Sequence, residues 1–121
     1  MTELLVNELR RHRRKSGLTQ HELARAVGYP HAGPVSRHET FRVMPPLEVA
    51  FGYEIIFRVP IARIFVGLRN EVERDVEERL AEMEILWGER SARDRNAKAI
   101  AQKLMWSWER RNTEPDYEPF P

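Results

Sequence analysis

A chain of 121 residues, 41% hydrophobic and 32% charged, can bury one compact core, or one small domain with an appendage. It contains no cysteine, which excludes disulfides, thiol catalysis and thiolate zinc sites together. No apolar run approaches the roughly 18 residues of a membrane span, and no leader-like apolar segment opens the chain. Neither a membrane partner nor secretion is therefore expected, and a cytoplasmic location fits. The net charge of +1 hides a segregation. Residues 1–46 carry eight Lys/Arg against four acids, residues 69–90 four arginines against eight acids, and residues 113–121 three acids and no base. A basic front before an acidic middle suits an oriented encounter with a polyanion.

Residues 3–15 place Leu4, Leu5 and Leu9 on one side of a first helix. Arg10, Arg11, Arg13, Arg14 and Lys15 fall in its last turns, where cations complement the negative end of the helix dipole. Gly17 ends it. The arginine run is either a solvated helix end or a set of phosphate contacts. Its place just before the next two helices favours phosphate contact for some members, Arg14 among them. Thr19 can cap the second helix and Glu22 can return the bond to the cap's backbone N–H. Leu23, Ala26 and Val27 follow at helical spacing, and Gly28 stops the helix. Gly33-Pro34 restarts the chain, with Pro34 in a first turn that does not need its missing N–H. The third helix, about residues 33–40, carries Ser36 and Arg37. Two short helices with a tight break between them are the outline of a helix-turn-helix.

Pro45-Pro46 open a fourth helix, about residues 46–57, with Leu47, Ala50, Phe51, Ile55 and Phe57 as apolar members. Pro60 starts a fifth, and Ile61, Ile64 and Phe65 close the core before Gly67. These side chains suit a core rather than a cofactor pocket, and no cofactor is expected. From Leu68 to about Trp87 the pattern changes to a long polar helix. Val72, Val76, Leu80, Met83 and Trp87 recur in steps of four and three, a stripe narrow enough for a helix–helix seam. Gly88 breaks it. Ser91, with Asp94 three residues on, can cap a last helix over about 92–111. Its apolar face is Ala97, Ile100, Ala101, Leu104, Met105 and Trp108. The pair forms a helical hairpin or swaps between subunits, with Ile100, Leu104 and Trp108 completing the seam; the first stripe could instead fold back on the globule. Trp87, Trp106 and Trp108 suit packing or a dimer interface better than an effector pocket. Residues 113–121, with three prolines, are expected to be an extended or flexible tail. The expected fold is all-α, divided as 1–67, 68–112 and 113–121.

Gly17-Leu18-Thr19-Gln20, Glu22-Leu23-Ala24, Gly28, Ser36-Arg37, Glu39 and Pro45…Leu47-Glu48 occur in that order. In this run the chain resembles the phage-repressor/Cro (Xre-type) DNA-binding domain of bacterial regulators, over roughly residues 4–67. The resemblance implies a five-helix, lambda-repressor-like globule with its second and third helices presented outward. It also implies that Gln20 clamps the DNA backbone, and that His31, Ala32, Gly33, Ser36 and Arg37 occupy the base-reading positions. An Arg13–Glu39 pair would hold the first and third helices at a fixed angle. Three features depart from the family pattern. The Gly28–Ser36 connection is one residue longer and holds Pro30 as well as Pro34. His38 stands where an apolar or aromatic core residue is usual, and a packed, hydrogen-bonded histidine is expected there rather than a pH switch. Thr40-Phe41 replaces the usual glycine at the helix end, so that end is expected to close another way.

The major groove of B-DNA admits one α-helix and displays a full donor/acceptor code. Arg37 has the planar fork that grips guanine O6 and N7, Ala32 or Val35 could meet a thymine methyl, and Arg42 is placed for phosphate. The expected function is therefore a sequence-specific DNA-binding transcriptional regulator, a homodimer on an inverted repeat of double-stranded DNA. The alternative is a protein-interaction module, antitoxin-like or an adaptor subunit, built on the same globule. An enzyme is not expected. His12, His21, His31 and His38 lack paired metal-ligand spacing, no GxxxxGK[ST] loop occurs, and Ser16, Ser36, Ser91 and Ser107 form no plausible triad order.

Overall fold

A computed structural model describes residues 6–90 and 95–116, and all regular structure among them is helical. The helices are α1 (Leu9–Ser16), α2 (Gln20–Ala26), α3 (Gly33–Glu39), α4 (Leu47–Phe57), α5 (Ile61–Ile64), α6 (Val66–Arg90) and α7 (Ala97–Arg111). They belong to two compact units, Met1–Val72 and Glu73–Pro121, and the division falls inside α6.

The first unit is built on local stop and start signals. Gly17 leaves α1 in the left-handed conformation, φ 81°, and its N–H bonds to the Arg14 carbonyl. Thr19 and Glu22 then form a reciprocal capping box: Glu22 N–H donates to Thr19 Oγ1, and Thr19 N–H to Glu22 Oε1, both at 3.0 Å. These bonds favour the ionised carboxylate and hold the Glu22 pKa below its ordinary value, the backbone N–H of Thr19 contributing most. Beyond α2, Gly28 at φ 96° donates to the Arg25 carbonyl and Tyr29 to that of Ala24. These are the two bonds of a Schellman motif.

The end of α3 closes in the same way with the wrong residue for it. Phe41 donates to the His38 carbonyl and Arg42 to that of Arg37, with Phe41 at φ 66° in the left-handed region. A bulky residue there carries roughly 1–2 kcal/mol of backbone strain that glycine would avoid.

Leu9, Leu23, Val35, Tyr53 and Ile64 are fully buried in one core, with Ala24, Val49 and Phe65 beside them. Thus α1 to α5 each contribute, and the expected core over residues 47–65 is partly corrected. Leu47, Phe51 and Ile55 recur every fourth residue yet are exposed, and α4 instead buries Val49, Ala50 and Tyr53. The face that turns inward is the one carrying Gly52, where an added Cβ would lie 2.9 Å from Val27 Cγ1. The close approach of α4 to Val27, just past the end of α2, requires the missing side chain.

Other boundaries differ from the sequence expectation. The first helix starts at Leu9 because Asn7 Oδ1 accepts the Leu9 N–H at 3.0 Å; Leu4 and Leu5 lie outside the described residues. Gly67 and Gly88 interrupt nothing, and α6 passes through both. Glycine costs about 1 kcal/mol in a helix interior, which a helix of 25 residues tolerates because each propagated residue adds a bond. The cap assigned to Ser91 and Asp94 lies outside the described residues, as does the tail from residue 117.

The second unit pairs the later part of α6 with α7. Arg110 bonds to Glu77, Arg111 and Ser107 to Glu84, and the Lys103 ammonium lies 5.8 Å from the centre of the Trp87 ring. The bonds to Arg110 and to Ser107, the largest causes, hold the Glu77 and Glu84 carboxyls below their ordinary pKa. Only Ile100 and Ser107 are buried among its described residues. The expected seam therefore divides. Ile100 is buried and Leu80, Trp87 and Leu104 are half-buried, whereas Val76, Met83 and Trp108 are exposed. Val72, also exposed, belongs to the first unit. Long charged side chains make the ties here, which a reading of apolar residues alone passes over.

Candidate nucleic-acid interface

The N-terminal end of α3 gathers the side chains that can meet a ligand. His31 Nδ1 accepts the Gly33 N–H at 3.2 Å, supplying a partner for one of the first helical amides. The ring lies so close that a Cβ on residue 33 would be 3.0 Å from His31 Nδ1, and 3.4 Å from Arg37 Nη1. Gly33 thus lets an imidazole and a guanidinium sit side by side over the first turn. His31 and Arg37 are exposed, whereas Ala32 and Ser36 are half-buried. The Ser36 carbonyl accepts the Thr40 hydroxyl at 2.8 Å, and its N–H bonds to Ala32. Of the five expected base-reading positions, His31, Gly33 and Arg37 form one cluster, with Ala32 and Ser36 at its margin. Arg42 is exposed just beyond α3.

Behind this surface a polar network ties α3 to the rest of the unit. Glu39 is 2% exposed. Its Oε2 accepts Arg13 Nε at 2.5 Å, and its Oε1 accepts Arg13 Nη2 at 3.1 Å and Gln20 Nε2 at 3.0 Å. Arg13 also donates to the Leu18 carbonyl at 3.0 Å. The planar fork of arginine matches a carboxylate in this bidentate way, and the glutamine occupies the remaining acceptor capacity. One buried carboxylate thereby joins α1, the start of α2 and the last turn of α3. Gln20, half-buried and expected as a backbone clamp, gives one amide N–H to Glu39. Arg14 is exposed on α1 beside the C-terminal end of α3, away from the His31–Arg37 cluster.

Two further contacts meet at His38, whose packed, hydrogen-bonded state was expected from the sequence but whose partners were not. Asn7 Nδ2 donates to the His38 carbonyl at 2.9 Å, so one buried carboxamide both starts α1 and ties it to the last turn of α3. His38, 3% exposed, places Nδ1 2.8 Å from the Tyr53 hydroxyl on α4. Burial, and then the neighbouring Arg37 charge, lower the His38 pKa, so the neutral ring is favoured. Burial above all pushes the Tyr53 hydroxyl above its ordinary value, which keeps it a hydrogen-bonding phenol. A polar pair with this environment is a satisfied core contact. Asn7 had a faint signal, being a good helix-capping residue just ahead of Leu9.

Among the described residues no group of three His, Asp or Glu could hold a metal, and no helix is long and apolar enough to cross a membrane. No family model matches the chain, and no curated protein or solved structure is detectably similar to it.

Proposed function

We propose that the chain is a sequence-specific DNA-binding regulator of the phage-repressor/Cro type, with the exposed face of α3 entering the major groove. The observation that carries this reading is the presentation of α3. A short helix with His31 and Arg37 exposed at one end is held from behind by Glu39, His38 and Asn7, so its outward face is set by buried contacts. Such a helix can be offered rigidly to a groove, and an exposed guanidinium on it can discriminate guanine by about 1–3 kcal/mol. The excess of Lys/Arg over residues 1–46 supplies the attraction to phosphate. Two copies on an inverted repeat would double a small footprint, with exposed Val76, Met83 and Trp108 as the apolar surface for pairing.

Selection of bound duplexes from a random pool at physiological salt, on wild type and Arg37→Ala in parallel, tests the reading. An enriched inverted repeat that blurs in the variant is the expected result. A single enriched half-site would remove the dimer and keep the DNA function. Binding indifferent to sequence and abolished by salt would remove both.

A second reading has its own observation. Ile85, Leu86, Met105 and Trp106 are exposed in the second unit besides the seam residues, a density of large apolar side chains that marks a surface for another protein. Under this reading Arg37→Glu leaves partner binding intact, whereas under the first it abolishes duplex binding.

A further inference from the structure

On the first unit, a depression of about 670 Å³ lies between α1 and the C-terminal end of α3. Arg10, Arg11 and Arg14 of α1 line it from one side, Thr40 and Phe41 from the other, with Asn7 and Glu39 between them. Arg10 and Arg14 are four residues apart, hence on one helix face, and among the described residues neither has an ion-pair partner. The lining carboxylate is no obstacle to a negative ligand, because Arg13 and Gln20 already occupy Glu39. Asn7 is likewise fixed by its bonds to Leu9 and His38. The floor is therefore rigid and neutralised, and the net charge of the rim is positive.

Phe41 supplies the second, independent observation. It keeps its φ of 66° where glycine would close the helix without strain, and it puts an aromatic side chain on the wall of a cationic depression. Strained positions of this kind cluster at active sites and ligand clamps. We propose that this depression binds a small aryl anion, a planar ring bearing a phosphate or carboxylate. Arg10 and Arg14 grip the anionic group and Phe41 packs on the ring. The site is separate from the His31–Arg37 cluster and stands whether or not the chain binds DNA.

The test uses the full chain and phenyl phosphate, inorganic phosphate and benzamide as probes, followed by backbone amide NMR shifts at physiological salt. Phenyl phosphate is expected to move the Asn7, Thr40 and Phe41 amides in a saturable way. Inorganic phosphate should bind about ten-fold more weakly, the size of one lost ring contact, and benzamide should not bind. Arg10→Gln with Arg14→Gln should abolish the shifts while lowering the melting temperature only slightly, since both side chains are exposed and give up no more than a helix-dipole contribution. Phe41→Leu should bring phenyl phosphate down to the level of inorganic phosphate. Equal binding of the two phosphates would show a site for charge alone and overturn the proposal. So would shifts confined to other residues, or shifts that survive the double substitution. None of these measurements involves a duplex, so their failure is distinct from failure of the DNA-binding reading.

Discussion

The two units bury different things. The first closes five short helices over a contiguous apolar core and threads it with buried polar contacts that are satisfied throughout its described residues. The second joins two longer helices through arginine–glutamate pairs at partly exposed positions and buries a single large apolar side chain, Ile100, among its described residues. Buried area and buried polar satisfaction scale with the number of elements that surround a point. Two helices surround nothing, however long they are. Helix length is thus a poor guide to where stability resides in this chain: the seven-residue α3 is the more firmly held element, and α6, with 25 residues, the less.

The largest expected effect that could break this comparison is at Glu39. Replacing it with alanine leaves the buried Arg13 guanidinium without its partner, at a cost of about 3–5 kcal/mol. The melting temperature should fall steeply, with hydrogen exchange accelerated throughout α1–α3 and little changed in α7. Wild-type melting for Glu39→Ala would show that the network is decorative. Next comes Gly52→Ala, whose new methyl meets Val27 at 2.9 Å. Overpacking of this kind costs about 1–3 kcal/mol, and Val27→Ala on the same chain should return part of it in a double-mutant cycle.

The units should also separate by pH. In the first, the lowered His38 pKa means the unfolded chain takes up a proton near the ordinary value of 6.5 while the folded one resists. Its contribution is complete above that value and is lost as pH falls through the lowered folded pKa. Melting followed from neutral to mildly acidic pH should show the decline, and His38→Gln should flatten it. In the second unit, Glu77 and Glu84 have pKa values held below the ordinary 4.5, so their ties persist above that value and are lost as pH falls through the lowered folded values. Exchange from α7 amides should rise only in this more acidic range. Smallest of all is Glu77→Gln, since exposed pairs contribute little. A melting shift as large as that of Glu39→Ala would overturn the ranking of the two units.

Much of the fold was legible because the signals that make it are local. The capping box at Thr19 and Glu22, the left-handed Gly17 and Gly28, and the proline starts at Pro46 and Pro60 involve residues within one turn of each other. Periodicity located α4 but chose the wrong face. Leu47, Phe51 and Ile55 have the spacing of a core stripe, yet the side that carries Val49, Gly52 and Tyr53 is the one turned inward, with Gly52 against Val27. At the interface, Arg37 stood out by its chemistry. The role of Gly33 in seating His31 beside it depends on side-chain positions that no spacing rule specifies.

By itself, then, the sequence determined that the chain is helical, where most of its short helices begin and end, and that its basic residues gather ahead of its acidic ones. Each of these follows from neighbours along the chain, where a cap, a proline or a charge acts within a few ångströms. The tertiary structure alone decided that Asn7 reaches the His38 carbonyl, that Gln20 bonds to Glu39, and that α3 closes with Phe41 held at a positive φ. It also decided that Val76, Met83 and Trp108 remain exposed while Ile100 is buried. Those outcomes join residues far apart in sequence. Which of several competent side chains becomes buried is settled by the elements that close around it, and no single segment carries that information.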